Sequence, residues 1–269
     1  MNRSERSNII LATLAREGSV DVERLVEELS VSPATVRRDL DGLAERQLLV
    51  RTHGGATRGS LAYDLPERYR LDDDGAKRAI ASLASSLVSR GMVVGLSGGS
   101  TTDMLAQMLG MRADLRDDTG RAALTVVTNS VNIASTLAVR PHIKVVVSGG
   151  VMHPHSYELV GPFAEATLGQ LTCDLSFIGV NGISEEGVFS VDEESEAVVN
   201  ALIARRARRA YVVADGGKLG ASAFAALPAV PGLGLITDDG APAGMVSALR
   251  EAGTEVTVAV AAGALHATA

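Results

Sequence analysis

The chain has 269 residues, of which 46% are hydrophobic, and its formal net charge is −7 at pH 7. This length suits one large or two modest domains, and the apolar content allows a sizeable core. No apolar run approaches the roughly 20 residues that cross a membrane, and the N-terminus lacks a basic-then-apolar leader. The single Cys173 excludes an internal disulfide, so we expect a cytoplasmic protein without a membrane contact.

Histidine and cysteine usage gives no indication of a metal or another cofactor. The five histidines are scattered and there is one cysteine, whereas a structural metal site needs about four clustered ligands. His153 and His155 are close in sequence, but Pro154 between them interrupts helical spacing and favours a plain loop. We expect no metal site and no cofactor.

The first elements in chain order are two helices. Ile9, Ile10 and Leu14 follow helical periodicity, and Gly18 is the residue type that usually lies just past a helix end. Asp21 is placed to cap a second helix. The apolar residues of that helix are Val22, Leu25, Val26 and Leu29.

A third helix follows after a tight connection. Ser32 is placed to cap it, and Pro33 fits its first position. Two short helices joined by about three or four residues form a helix-turn-helix, whose second helix enters the major groove. The apolar stripe is Val36, Leu40 and Leu43, and the residues expected to contact DNA are Ser32, Ala34, Thr35, Arg37 and Arg38. The alternative is an ordinary surface helix with a solvated arginine pair.

The segment after this helix predicts a wing. Residues 48–50 form an apolar run that predicts a strand, and Gly54-Gly55 predicts a tight turn. The residues of the wing expected to contact DNA are Arg51, His53, Gly54 and Gly55.

Two stretches together resemble a known family. Residues 31–40, Val-Ser-Pro-Ala-Thr-Val-Arg-Arg-Asp-Leu, and residues 49–56, Leu-Val-Arg-Thr-His-Gly-Gly-Ala, are similar to the N-terminal domain of DeoR-family bacterial transcriptional regulators. The resemblance implies that this helix and wing bind double-stranded operator DNA. We therefore predict a winged helix-turn-helix domain at 1–58, a linker at 59–75 and a second domain at 76–269.

Charge is distributed unevenly between these parts. A nucleic-acid binder is expected to be basic, yet residues 1–60 carry nine basic and nine acidic side chains, and the remainder supplies the whole −7. Within the first part, Arg37, Arg38, Arg46, Arg51 and Arg58 follow the helix-turn-helix turn, whereas the acidic residues Glu17, Asp21, Glu23, Glu27 and Glu28 precede it. A neutral domain with a local basic face should bind non-specific DNA weakly.

Strands and helices alternate in the second domain. The predicted strands are 92–97, 124–128, 143–148, 175–180, 211–214, 233–237 and 255–260. The predicted helices begin near 76 and then cover 101–109, 131–139, 163–171, 193–209 and 241–252. Near-continuous apolar strands separated by helices indicate a mostly parallel, doubly wound α/β sheet, whose ligands bind at the carboxyl ends of the strands.

Five of these strand ends are polar and contain glycine or asparagine. Glycines let backbone amides approach an anion, hydroxyls add donors, and a helix N-terminus adds positive potential. We expect one ligand crevice formed by Ser97, Gly98, Gly99, Ser100, Thr101, Thr102, Thr128, Asn129, Ser130, Gly149, Gly150, Asn181, Asp215 and Lys218. The loop at 97–102 is not a Walker A loop, because the Gly-Lys-Ser/Thr ending is absent. The alternative is ordinary turn chemistry with a serine or threonine helix cap.

This half resembles the C-terminal domain of the same family. The matching pieces are 98–102, 128–130, 149–150, 159–162, 174–179, Asp215 with Lys218, and 237–238. The resemblance implies a fold similar to ribose-5-phosphate isomerase and a phosphorylated sugar as effector. Family members often have aspartate before the Gly-Ser/Thr-Thr run, where this chain reads Leu96-Ser97-Gly98-Gly99. Such a carboxylate can hold sugar hydroxyls.

Two functions are compatible with this pattern: a DNA-binding repressor released by a phosphorylated sugar, and a sugar-phosphate isomerase with an added DNA-binding module. Isomerisation needs a carboxylate base. The strand exit that carries acids in the similar isomerases has Asn181 here, which leaves Asp215. We therefore expect a regulator and not an enzyme. Because operators usually pair half-sites with a protein two-fold axis, we expect a homodimer or homotetramer.

Overall fold

The computed structural model describes residues 6–7, 9–10, 13–14, 18–45, 49–52, 54–58, 75–115 and 122–260. By internal contacts the chain divides into two units, Met1–Arg70 and Leu71–Ala269. His53, most of the predicted linker and part of the first predicted helix lie outside the described residues.

The first unit combines helices with a small sheet. Its elements are β1 (Ser19–Asp21), α1 (Val22–Leu29), α2 (Pro33–Glu45), β2 (Leu49–Arg51) and β3 (Gly55–Arg58). The described residues of the first predicted helix are helical, and Gly18 ends that segment with a φ of 81°. The sheet is antiparallel with β3 in the centre, so that β1 pairs with one edge of β3 and β2, the other strand of the wing hairpin, pairs with the opposite edge.

Local sequence accounts for the two helix starts. The Ser32 hydroxyl accepts from the Thr35 amide at 3.2 Å, which confirms the predicted cap of α2. Asp21 occupies the cap position of α1, but its carboxylate makes no capping hydrogen bond. It also belongs to β1, which sequence periodicity did not predict because this strand has only three residues. The buried core of the unit is Ile10, Leu14, Val20, Val22, Leu25, Leu29, Val36, Leu40, Leu43, Leu49 and Ala56.

The second unit contains a seven-stranded parallel sheet. Its strands are β4 (Val93–Leu96), β5 (Leu124–Thr128), β6 (Ile143–Val147), β9 (Cys173–Ile178), β12 (Ala207–Val213), β14 (Gly234–Asp238) and β15 (Val256–Ala259). The strand order is β15-β14-β12-β9-β4-β5-β6. Short antiparallel pieces flank it: β7 (Val151–Met152), β8 (Leu159–Val160), β10 (Gly182–Ile183), β11 (Phe189–Val191) and β13 (Ala225–Ala226).

Helices cover both faces of this sheet. They are α3 (Gly75–Ser86), α4 (Ser100–Met111), α5 (Val131–Ala138), α6 (Pro162–Leu168), α7 (Glu194–Arg205) and α8 (Ala243–Glu251). One core cluster contains Ile80, Leu105 and Ile133 from α3, α4 and α5. The other contains Leu168, Ile203 and Leu249 from α6, α7 and α8. Two apolar layers on one parallel sheet confirm the predicted doubly wound α/β fold.

The long helix predicted at 193–209 was wrong at its C-terminal end. It ends at Arg205, and β12 begins two residues later with Ala207 opposite Cys173 and Arg209 opposite Leu175. The Arg206 guanidinium donates to the Leu171 carbonyl at 2.6 Å at this change of direction. Parallel pairing with β9 inside the sheet therefore overrides the helical preference of the arginine-rich run.

Candidate nucleic-acid interface and ligand crevice

The outer face of α2 carries the two arginines of the predicted interface. Ser32, Ala34, Arg37 and Arg38 are exposed, and within the part of the chain described neither Arg37 nor Arg38 has a hydrogen bond or ion pair. The Thr35 hydroxyl lies 2.9 Å from that of Ser32, so it belongs to the cap. Two unengaged guanidinium groups on the exposed face of a helix suit phosphate or guanine contacts.

The wing residues are held within their own unit. The Arg51 Nε donates to the Asp41 carboxylate at 2.8 Å, and its Nη1 donates to the Gly55 carbonyl. Gly55 is buried in β3, where an added Cβ would lie 1.9 Å from the Val20 carbonyl oxygen. Gly54 is exposed and open on all sides. Arg51 and Gly55 therefore have structural roles, and their contacts with DNA stay predictions.

Asp39, which was not predicted from the sequence as a functional residue, lies on the inner side of α2. It is 3% exposed and accepts from Arg6 Nε at 2.6 Å, a charge-assisted bond that ties the first helical segment to α2. This hydrogen bond raises the pKa of Arg6. The available signal was its spacing, because Asp39 lies three residues after Val36 and beside Leu40 on the apolar side.

The first loop of the crevice places a helix N-terminus behind β4. Gly99 occupies the cap position of α4 with a φ of 132°, which only glycine adopts without strain. The first amides of α4, at Ser100, Thr101 and Thr102, lack intrahelical partners by construction. The Thr101 hydroxyl is buried and has no hydrogen-bond partner among the described residues. The loop therefore presents free donors of the kind that bind an anion.

Ser97 and Thr102 hold this loop in place. The Ser97 hydroxyl accepts from the Gly179 amide at 2.9 Å and donates to the Gly98 carbonyl at 3.1 Å. The Thr102 hydroxyl donates to the Gly99 carbonyl at 2.9 Å. Both side chains are thus used within the protein, which leaves the backbone amides and the hydroxyls of Ser100 and Thr101 for a ligand.

The polar side chains at the carboxyl end of β5 are also mostly hydrogen-bonded within the protein. The Thr128 hydroxyl accepts from the Ser130 amide at 3.0 Å, and the Ser130 hydroxyl caps α5 by accepting from Ile133 at 3.4 Å. Asn129 is fully buried and donates to the Glu158 carboxylate at 2.9 Å. The Asn129 Oδ1 has no hydrogen-bond partner among the described residues. Asn129 is therefore the residue of this exit with an unused polar atom.

The remaining predicted residues divide into two groups. Lys218 donates to the Val180 carbonyl beside Gly179, whose added Cβ would lie 2.5 Å from the Gly98 carbonyl oxygen. Contacts thus link the first loop to the exit of β9 and that exit to Lys218. By contrast, Asn181 donates to Asp192 at 2.7 Å, and Asp215 caps its own turn by accepting from Gly217 at 3.2 Å.

The glycine pair after β6 serves the backbone, and Gly150 is closely packed. Gly149 and Gly150 have φ values of 72° and 123°, and an added Cβ at Gly150 would lie 2.7 Å from the Val160 carbonyl oxygen. This close approach brings the backbone after β6 against β8 of the β7–β8 hairpin. The hairpin brings in Glu158, a 4% exposed carboxylate that sequence analysis missed. Its only sequence signal is its position directly before residues 159–162.

These geometries define a helix-turn-helix protein with a second, doubly wound domain, in which the α4 N-terminus presents free backbone donors beside the exit of β9. A model of the DeoR-like helix-turn-helix domain matches residues 6–60, and one of the DeoR C terminal sensor domain matches residues 73–239. The chain belongs to the DeoR family of transcriptional regulators.

Curated relatives align over nearly their whole length. The glycerol-3-phosphate regulon repressor of Escherichia coli (strain K12) is 28% identical over 244 residues, which is 90% of this chain and 93% of the relative. The HTH-type transcriptional regulator GlpR of Haloferax volcanii is 31% identical and covers 88% and 90%. The HTH-type transcriptional repressor CsqR of E. coli is 29% identical and covers 93% and 94%.

Among solved structures, ribose 5-phosphate isomerase A from Methanocaldococcus jannaschii aligns with a TM-score of 0.41 and 20% identity, covering 55% of each chain. No described helix is long and apolar enough to cross a membrane. The described residues also contain no group of three or more His, Cys, Asp or Glu side chains that could hold a metal ion.

Proposed function

We propose that this protein is a transcriptional repressor that binds an operator through α2 and the wing and is released by a phosphorylated sugar. One observation carries the ligand part of the proposal: the free N-terminus of α4 and the unpartnered Thr101 hydroxyl lie beside the β9 exit that Lys218 contacts. Amides, a hydroxyl and an ammonium are the donors that bind phosphate esters. The names of the relatives, which include a glycerol-3-phosphate regulon repressor, support the same class of effector.

In the proposed complex the phosphate binds the amides of residues 99–102, and Lys218 adds a charge-assisted bond. To release DNA, the sugar phosphate must bind the DNA-free state more tightly than the DNA-bound state. A ligand with equal affinity for both states would leave the equilibrium between them unchanged. A coupling of about 1–3 kcal/mol is typical.

An isomerase is the second candidate, and side-chain chemistry opposes it. Asn181 cannot abstract a proton, and its amide already donates to Asp192. Asp215 accepts from the amide of its own turn. Turnover of a sugar phosphate by the purified protein would reverse this choice.

Assembly belongs to the proposal as well. One winged-helix unit makes few phosphate contacts, and operators with two half-sites match a two-fold protein. We propose that the protein is at least a dimer, assembled through the second unit. Sedimentation of a monomer at micromolar concentration, with and without DNA, would contradict this.

The test is a mobility-shift assay with an operator selected from random DNA by the purified protein. Wild type should release the operator on addition of one member of a sugar-phosphate panel. Thr101→Ala combined with Lys218→Ala should bind the operator normally but fail to respond. Lys144→Ala, which removes an exposed lysine of β6, should respond like wild type. A normal response by the double variant would place the effector site elsewhere.

A further inference from the structure

Glu158 is a buried carboxylate in the wall of the proposed effector crevice. Its side chain is 4% exposed, and its Oε2 accepts from the Asn129 amide at 2.9 Å. A buried carboxylate is costly unless it is hydrogen-bonded. A group retained at such cost inside a ligand crevice is a candidate for ligand recognition.

The first loop is shaped to admit this carboxylate. A Cβ added at Gly98 would lie 2.4 Å from Glu158 Oε1 and 2.6 Å from its Cγ. An alanine at this position would therefore displace the Glu158 side chain. Ser97, the neighbouring side chain in the loop, is already bonded to Gly179 and Gly98. The carboxylate at this loop is thus supplied by the β7–β8 hairpin.

The backbone before Glu158 is held in an unfavourable conformation. Tyr157 is buried and has a φ of 57°, which is rare for a bulky residue and costs about 1–3 kcal/mol. The Tyr157 carbonyl accepts from the Val131 amide at 3.0 Å, and the Leu159 amide donates to the Asn129 carbonyl at 2.7 Å. These bonds join the hairpin to the β5 exit on both sides of Glu158 and turn its side chain inward.

One unsatisfied acceptor beside Glu158 indicates which ligand groups this part of the crevice suits. Asn129 Oδ1 is buried and has no hydrogen-bond partner among the described residues. A carboxylate and an amide oxygen accept hydrogen bonds, so they suit ligand hydroxyls and oppose an anion. The phosphate is therefore kept toward the α4 amides and Lys218, and the hydroxyls lie toward the hairpin.

We propose that Glu158 and Asn129 form a hydroxyl-reading subsite, so that the effector is a phosphate ester of a polyhydroxylated sugar or polyol. This proposal rests on the proposed function and specifies the half of the ligand that the phosphate does not define. It excludes effectors with a second anionic group at the hydroxyl-bearing end, such as phosphorylated sugar acids. Sites built to bond a hydroxyl reject analogues that lack it, because the buried acceptor is left unpaired.

The experiment is calorimetric titration of the full-length protein. The probes are inorganic phosphate, ribose 5-phosphate, glucose 6-phosphate, fructose 1-phosphate and glycerol 3-phosphate, each ester paired with its deoxy or carboxylate analogue. Wild type should bind one hydroxylated ester at least tenfold more tightly than its analogue. Glu158→Gln should reduce that preference to less than threefold while leaving the affinity for inorganic phosphate equal or slightly higher.

Two further variants separate recognition from folding. Gly98→Ala displaces the Glu158 carboxylate without removing a polar group, so it should lose the same preference. Glu165→Gln removes a carboxylate of the adjacent α6 and should behave like wild type. Unchanged preference in both Glu158→Gln and Gly98→Ala, with wild-type thermal unfolding, would overturn the subsite. Absence of binding of every ester to wild type would instead overturn the proposed function and the subsite together.

Discussion

Alanine substitutions at the two wing glycines, Gly54 and Gly55, test the strand register of the small sheet in the first unit. A Cβ added at Gly55 would lie 1.9 Å from the Val20 carbonyl oxygen, whereas a Cβ at Gly54 would meet nothing within 4 Å. A normal contact between carbon and carbonyl oxygen is about 3.3 Å, so Gly55→Ala must separate β1 from β3 by more than about 1 Å. Gly54→Ala is the matched control.

The free-energy cost of this separation can be estimated from the pairing of β1 with β3. It disrupts the three-residue register between Ser19–Asp21 and Gly55, Ala56 and Thr57, and it loosens the buried Val20 in the core. A lost hydrogen bond costs about 1 kcal/mol and overpacking about 1–3 kcal/mol. We expect Gly55→Ala to destabilise the sheet by about 3 kcal/mol, roughly a 100-fold increase in opening. Gly54→Ala should stay within about 0.5 kcal/mol of wild type.

Hydrogen exchange of the full-length protein, followed by mass spectrometry, measures this opening. Peptides that cover Ser19–Asp21 should exchange faster in Gly55→Ala but not in Gly54→Ala, while peptides of the second unit serve as an internal reference. Operator affinity should fall with the exchange protection, because the wing is displaced. Equal protection in the two variants would refute the pairing of Gly55 with Asp21 in this sheet.

Three other outcomes are expected. Arg37→Ala or Arg38→Ala should weaken operator binding by about 1–3 kcal/mol, and unchanged affinity in both, with the fold intact, would remove α2 from the interface. Burial raises the pKa of Asp103, so the folded state holds its proton more tightly, and stability falls as pH rises from 3.8 through the folded value. Asp103→Asn should therefore raise the free energy of unfolding at pH 7 but not at pH 3, as measured by urea titration at both values. Burial raises the pKa of the Cys173 thiol to about 11. A disulfide reagent at pH 8 should therefore modify this thiol only after the protein unfolds, because the thiolate is the reactive form. Rapid labelling of the native protein would contradict the burial of Cys173.

The larger elements follow from apolar periodicity. The strand predicted at 124–128 has the same bounds in the structure, because five apolar or β-branched residues end at a polar Asn129. The hairpin of β7 and β8 was not predicted, because its strands have two residues each and periodicity needs a longer window.

Side-chain partners were the least predictable part of the crevice. Thr128 and Ser130 were expected to bind a ligand, but local hydrogen bonds use their hydroxyls for the turn and the α5 cap. Glu158 was missed because a charged residue between hydrophobic ones gives no sign of its burial. Its position depends on Gly98, which lies 60 residues earlier in the chain. Tertiary contacts of this range are not encoded in a local pattern.

The central claim is that one chain couples an operator site to a sugar-phosphate site. Coupling is reciprocal, so the most direct measurement is the affinity of the full-length protein for each ligand in the absence and presence of the other. A saturating effector should weaken operator binding by roughly 5–150-fold, and a saturating operator should weaken effector binding by the same factor. If the sugar phosphate binds but operator affinity stays within about twofold, the two sites are independent and the account is contradicted.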